Sequence, residues 1–289
     1  VTDPSDVDEP AAEYTVGEVA GRLGIPVATL RSWNRRYGLG PSGHMPGRHR
    51  HYAAEDLAMI RRMVDLVRTG ASPASAARAA RATVAPVLGD VAPVLAAGRR
   101  LDGVELLATI SAHLARYGVV ATWNRLCRPA FAEIVGRQAR EGGLIDVEHL
   151  LSWAVATSLH RTVPIPGRGA GRRAIVLACT AEENHALPLE ALRAALAERG
   201  LAAVFLGPSM PDSGLADALS RQERPPLVVL WSQSVLTAQP GAIRVALANS
   251  SGVLLAGPGW YGSDLPPGAR HVNSLEDAVE QIVRALGDT

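Results

Sequence analysis

The stretch RAIVLACTAEENHALPLEALRAALAERG, residues 173–200, contains the change of period that decides the fold of the C-terminal half. RAIVLAC is a continuous apolar run, the pattern of a strand buried on both faces, whereas LEALRAALAERG repeats its apolar residues at helical spacing. Between them TAEENHALP, residues 180–188, sets His185 after two acidic residues and ahead of Pro188. The alternation continues through AAVFLG, GLADALSRQ, LVVLWS, AIRVALANS, GVLLAG and SLEDAVEQIVRALG. It predicts a parallel sheet with helices on both faces over residues 172–289. Ligands of such sheets sit beyond the carboxyl ends of the strands, so His185 is expected in a ligand-facing loop.

Upstream, PIPGRGAGRR has the composition of a linker. Its glycines precede a strand instead of following one, opposite to the dinucleotide fingerprint. Before it, DGVELLATISAHLARYG, VVATWNRLCRPAFAEIVGRQARE and DVEHLLSWAVATSLHRTV predict a helical bundle over residues 81–165. Pro129 should start or kink a helix, and Asp146 should cap the one carrying Glu148 and His149. Residues 80–99, rich in Ala, Val and Pro, read as a linker into this region.

Residues 14–80 show a third pattern. TVGEVAGRLG opens with Thr15 and Glu18 in capping-box spacing and stops at Gly24; PVATLRSWNRRYG starts with Pro26 and stops at Gly38. Two short helices joined by LGIP predict a helix-turn-helix, and the Gly- and Pro-dense LGPSGHMPGRHRHY a hairpin or wing. Between Tyr14 and Ala80 ten arginines face only Glu18, Glu55, Asp56 and Asp65, a balance suited to a polyanion. Arg31, Arg35 and Arg36 on the second helix, with Arg48, His49 and Arg50 in the wing, can reach phosphates or fork onto guanine edges. Trp33 offers either a stacking surface or a core contact.

Composition bounds the rest. The 289 residues are 47% hydrophobic, and all 29 basic residues are arginine, with a net charge of +1. The chain is globular, and its overall charge identifies no partner. Cys127 and Cys179 lack the paired spacing of a zinc site and are expected as buried free thiols. No apolar run approaches a membrane span, and residues 1–13, VTDPSDVDEPAAE, read as a disordered tail of a cytoplasmic protein. No Ser-His-Asp order, phosphate loop or paired-carboxylate arrangement stands out, so catalysis is not expected.

YTVGEVAGRLGIPVATLRSWNRRYGLGPSGHMPGRHRHYAAEDLAMI resembles the DNA-binding domain of the MerR family of transcriptional regulators. The resemblance implies a winged helix-turn-helix that contacts double-stranded promoter DNA through Thr29, Arg31, Trp33, Arg35 and Arg36, and through Arg48, His49, Arg50 and Tyr52 of the wing. A helical bundle followed by an α/β domain is similar to the CarH and LitR branch, whose members are light-responsive and use adenosylcobalamin. That likeness implies a multidomain α and α/β chain with a flavodoxin-like, cobalamin-binding-like C-terminal domain and self-association as a dimer or tetramer.

In such domains an acidic residue orients a histidine two positions later, which becomes the lower ligand of cobalt. Glu183 and His185 fit, while Pro188 stands where a glycine belongs. Ser232 or Ser234 would be the small hydroxyl residue beside the cofactor's nucleotide tail, and Gly257 a close-approach glycine followed by Pro258 instead of a second glycine. Glu148 and His149 match an upper-face pair, with Gln138 where a tryptophan is expected. These departures leave open a regulator with a degenerate site that senses another small molecule or acts without ligand. A cobalamin-dependent enzyme component is the remaining alternative, set against the complete DNA-binding module.

Overall fold

The computed structural model describes residues 14–41, 51–81, 86–167, 173–262 and 264–287. The chain divides into two compact units, Val1–Ala85 and Pro86–Thr289. No described helix is long and apolar enough to cross a membrane.

The first unit contains β1 (Tyr14–Thr15), α1 (Val16–Leu23), α2 (Val27–Tyr37), β2 (His51–Tyr52), α3 (Ala54–Arg68) and α4 (Pro73–Arg81). Thr15 and Glu18 form the capping box expected of them: the Glu18 amide donates to Thr15 Oγ1 at 3.3 Å and the Thr15 amide to the Glu18 carboxylate at 2.7 Å. Gly24 and Gly38 end α1 and α2 with φ of 62° and 66°, a conformation that costs glycine little. Two arginines serve this geometry: Arg68 donates to the Leu23 carbonyl at 3.2 Å and Arg81 to the Tyr37 carbonyl. The core joins Val19, Leu23, Leu30, Tyr52, Ile60 and Met63. β1 pairs antiparallel with β2, Tyr14 opposite Tyr52; the expected wing otherwise lies outside the described residues.

The second unit starts with α5 (Ala92–Arg99), α6 (Gly103–Thr122), a π-helical turn (Trp123–Cys127), α7 (Arg128–Glu141) and α8 (Ile145–Thr162). It continues with β3 (Ile175–Cys179), α9 (Leu187–Glu198), β4 (Ala203–Gly207), α10 (Asp212–Ser220), β5 (Leu227–Trp231) and α11 (Pro240–Asn249). β6 (Gly252–Ala256), a 3-10 turn (Pro258–Trp260), β7 (Ala269–Val272) and α12 (Leu275–Gly287) complete it. The strands pair in parallel in the order β4-β3-β5-β6-β7. This is the doubly wound, flavodoxin-like order, whose reversal beside the first strand opens a crevice at the strand ends.

Alternation along each strand separates two cores. Ile175, Leu177, Cys179, Leu227 and Val229 face α9 and α12, and the same cluster runs without a break into the bundle through Leu106, Ile110, Leu151 and Leu159. Val176, Ala178, Val228, Leu230 and Leu255 face α10 and α11. Bundle and sheet therefore share one hydrophobic interior.

Three sequence expectations change, and the break expected at Gly118 is found. Residues 92–99 of the expected linker are α5, whose Val94, Leu95 and Ala97 are buried in the bundle, so their alanine-rich composition serves close packing. Asp146 does not cap α8; it lies inside the first turn after Leu144, which precedes the helix with a left-handed φ of 60°. β7 has no apolar run, because ARHV is an edge strand with one fully buried side chain, Val272. Gly118 breaks α6 with φ 75°, and the amide of Val119 that this frees donates to the Glu198 carboxylate at 3.0 Å. Pro129 stands in the first turn of α7, directly after the π-helical turn Trp123–Cys127 that interrupts the regular helix there, as its expected role of starting or kinking a helix requires.

Candidate functional site

On the first unit, Arg31 and Arg35 lie one helical turn apart on α2, both exposed, with Asn34 between them. Together with Thr15, Val16, His51 and Tyr52 they line a groove of about 940 Å³. Arg36 is exposed beside it, and none of the three arginines has an acidic partner among the described residues. A groove with unneutralised guanidinium groups on a helix face suits a phosphate backbone and base edges. Thr29 is half-buried, and Trp33 is half-buried against the core, so its ring braces α2 more than it offers a free face.

Tyr52 is only 2% exposed, so its ring belongs to the core, and the residue also lines the groove. Arg48, His49 and Arg50 lie outside the described residues. Asn34 and His51 went unremarked in the sequence; the signal for Asn34 was its spacing of three from Arg31 on one helical face.

On the second unit, the loop between β3 and α9 is organised around Glu183, which is 1% exposed. Its Oε1 accepts from the His185 amide at 2.8 Å and from His185 Nδ1 at 2.6 Å. Its Oε2 accepts from the Gln233 amide at 2.8 Å and from Thr237 Oγ1 at 2.6 Å. Burial pushes the carboxyl's pKa up, but the hydrogen bonds from Thr237, His185 and Gln233 outweigh it and hold it below the ordinary carboxylate range. An ionised Glu183 can only accept, so Nδ1 of His185 carries the proton. The side chain is 68% exposed, and its Nε2 has no partner among the described residues.

Ser232 and Ser234 differ in burial. Ser232 is fully buried, and its hydroxyl bonds to Thr237 Oγ1 at 2.7 Å and to the Ser234 carbonyl at 2.9 Å. Ser234 is exposed, and its hydroxyl accepts from the Leu236 amide. A relay therefore runs from Ser232 through Thr237 to Glu183 and His185. Thr237 was missed in the sequence because the relay joins the ends of β3 and β5, 52 residues apart between His185 and Thr237 by their numbering.

Pro188 occupies the first turn of α9, a position where a missing amide costs nothing, and Pro258 is exposed. The positions of closest approach are Gly257 and Gly259, and the ring buried beneath them belongs to Trp260. In the bundle, Gln138 Nε2 donates to Glu148 Oε2 at 2.8 Å, and His149 is exposed on α8. No described distance brings Glu148 or His149 to His185.

Among the described residues no three His, Cys, Asp or Glu side chains are placed to hold a bare metal ion. The loop presents one oriented imidazole. It suits a metal that arrives with its other donors already in place, as in a macrocycle.

Residues 14–83 match the model of the MerR HTH family regulatory proteins. The chain is 25% identical over 224 residues to the HTH-type transcriptional repressor CarH of Myxococcus xanthus, a match covering 71% of this chain and 74% of that protein. In fold, it is similar to the monomethylamine corrinoid protein of Methanosarcina barkeri, with a TM-score of 0.50 at 9% identity over 66% of this chain and 96% of that one.

Proposed function

From a DNA-binding transcriptional regulator that joins a MerR-type helix-turn-helix to a cobalamin-binding-like α/β domain, we propose a division of labour. The first unit reads double-stranded promoter DNA through Arg31, Asn34 and Arg35. The second takes a corrinoid on His185, and its occupancy governs how copies of the chain associate on the operator. The observation that carries the ligand reading is the imidazole with Nδ1 fixed on buried Glu183 and Nε2 without a partner among the described residues.

A bound corrinoid would supply cobalt already held by its ring nitrogens, open to one axial donor. His185 would provide that donor, Glu183 would orient it, and Thr237 with the Gln233 amide would hold Glu183. Val235 and Leu236, on the loop that carries these partners, are 74% and 88% exposed and offer apolar surface to a flat ring. These residues fit the cobalt end of such a ligand. The adenosyl form and dimeric or tetrameric association remain part of the proposal by likeness to the CarH branch.

Fluorescence anisotropy with promoter DNA tests the reading head. An Arg31→Ala, Arg35→Ala double variant should weaken binding and lower the slope of log affinity against log salt by about 1 for each phosphate that is no longer neutralised. Unchanged affinity and slope would remove α2 from the interface. Size-exclusion chromatography with and without diaquocobinamide or aquocobalamin tests coupling of occupancy to association. A His185→Ala variant should lose any ligand-dependent change.

A further inference from the structure

Among the side chains lining the groove of the first unit, His51 is of a type that gains or loses charge near neutral pH. β2 has two residues, and alternation sends their side chains to opposite faces. Tyr52 turns into the core and is 2% exposed, so His51 turns out and is exposed. Its partner across the strand pair is Thr15, and both line the groove with Arg31, Asn34 and Arg35 of α2. Two fixed points hold the backbone of His51: the buried ring of Tyr52 beside it, and Thr15, which caps α1. No hydrogen bond among the described residues engages the imidazole that this frame presents.

The charged groups around it are unequal. From α2 come the guanidinium groups of Arg31 and Arg35. From α1 come Glu18, whose carboxyl feels the charge of His51, and Arg22, which stands over the Tyr14 ring at 4.3 Å from its centroid. Glu18 is already engaged by Thr15, whose amide and hydroxyl donate to it at 2.7 and 2.9 Å. These bonds come first in holding its carboxyl below the ordinary range, ahead of Arg22 and His51. At the start of α3, Asp56 is buried and accepts the Ala53 amide at 3.0 Å. In the free protein the two guanidinium groups of α2 therefore oppose a further positive charge in the groove. A phosphate oxygen seated there reverses that balance, because an anion within about 4–6 Å favours the protonated form of a histidine. Binding of a polyanion then takes up a proton, and by linkage affinity falls as pH rises through the histidine range.

We propose that His51 is a phosphate-contacting residue of the DNA interface that meets the backbone as imidazolium, so that the first unit holds duplex DNA more tightly at mildly acidic than at mildly alkaline pH. The proposal rests on the reading of the α2 groove as the DNA interface. Its ligand is a phosphodiester oxygen, so the effect belongs to a duplex of any sequence.

Fluorescence anisotropy on the full chain with a labelled mixed-sequence duplex, at constant ionic strength from about pH 6 to about pH 8, tests it. The parent should lose about fivefold in affinity over that range, and its slope of log affinity against log salt should be steeper by about 0.9 at the acid end. His51→Gln should bind at the acid end as weakly as the parent does at the alkaline end. His51→Arg should bind at the alkaline end as tightly as the parent does at the acid end. His51 is exposed, so neither substitution disturbs a packed core. Restoration by a fixed charge, together with loss of the pH profile, separates a phosphate contact from a structural role. A parent affinity that does not change with pH would overturn the proposal. So would a pH profile that persists in His51→Gln, which would put the proton on another histidine such as His44 or His49. The Arg31→Ala, Arg35→Ala variant keeps the two failures apart: if it binds this duplex as the parent does, the reading of the groove is overturned, whatever the pH profile.

Discussion

Glu183 is the residue on which the ligand loop turns. Four donors converge on a carboxylate almost wholly removed from water, and their combined effect lowers its pKa although burial alone would raise it. The folded-state pKa therefore lies below the unfolded value of about 4.3, so the stabilisation is fully present above that pH and is lost as pH falls through the lowered value. A Glu183→Gln variant places an amide donor among donors and should cost about 1–3 kcal/mol. Denaturant melts should show a constant deficit relative to the parent from about pH 5 to 8, shrinking only below about pH 4. The same variant should lower corrinoid affinity about 10–100-fold, because the histidine loses the acceptor that fixes its tautomer. An unchanged affinity in an absorbance titration would detach Glu183 from the function of His185.

At the scale of elements, α9 links the two functional halves of the second unit. It begins at the His185 loop, and its last residue, Glu198, accepts the Val119 amide at the break in α6. Burial raises the pKa of Glu198, opposed by the hydrogen bond from Val119. The break itself depends on Gly118, whose φ of 75° and ψ of 175° form a conformation that side chains disfavour. A Cβ there would also come within 3.3 Å of the Glu198 carboxylate. Gly118→Ala should therefore destabilise the second unit by about 1–3 kcal/mol, read as a lower denaturant midpoint. The first unit, which has a separate core, should unfold as in the parent.

At the scale of the whole molecule, the division of cores predicts how the chain comes apart. Cys127 in the bundle and Cys179 on β3 lie in the same hydrophobic cluster, and burial pushes both thiols up to about 12. Neither should react with a thiol reagent at neutral pH in the native state. Both should become reactive in one step when the second unit unfolds, while the first unit melts in a transition of its own. Reaction of Cys127 well before Cys179 would mean that bundle and α/β layers open independently.

Local chemistry made much of this legible before tertiary structure. The capping pair Thr15 and Glu18, the stops at Gly24 and Gly38 and the apolar runs of β3, β5 and β6 are decided within a few residues, so the sequence alone determined the reading helix, the parallel α/β layer and the place of His185 at a strand end. The short edge strand β7 and the packed helix α5 escaped because their neighbours, not their own periods, make them regular. Only tertiary structure showed that Tyr52 is core, that Thr237 belongs to the His185 relay, and that Trp260 is buried while the neighbouring Pro258 is exposed. Burial and convergence join residues far apart in the chain, and no local pattern of apolar and polar residues encodes which side chain will meet which.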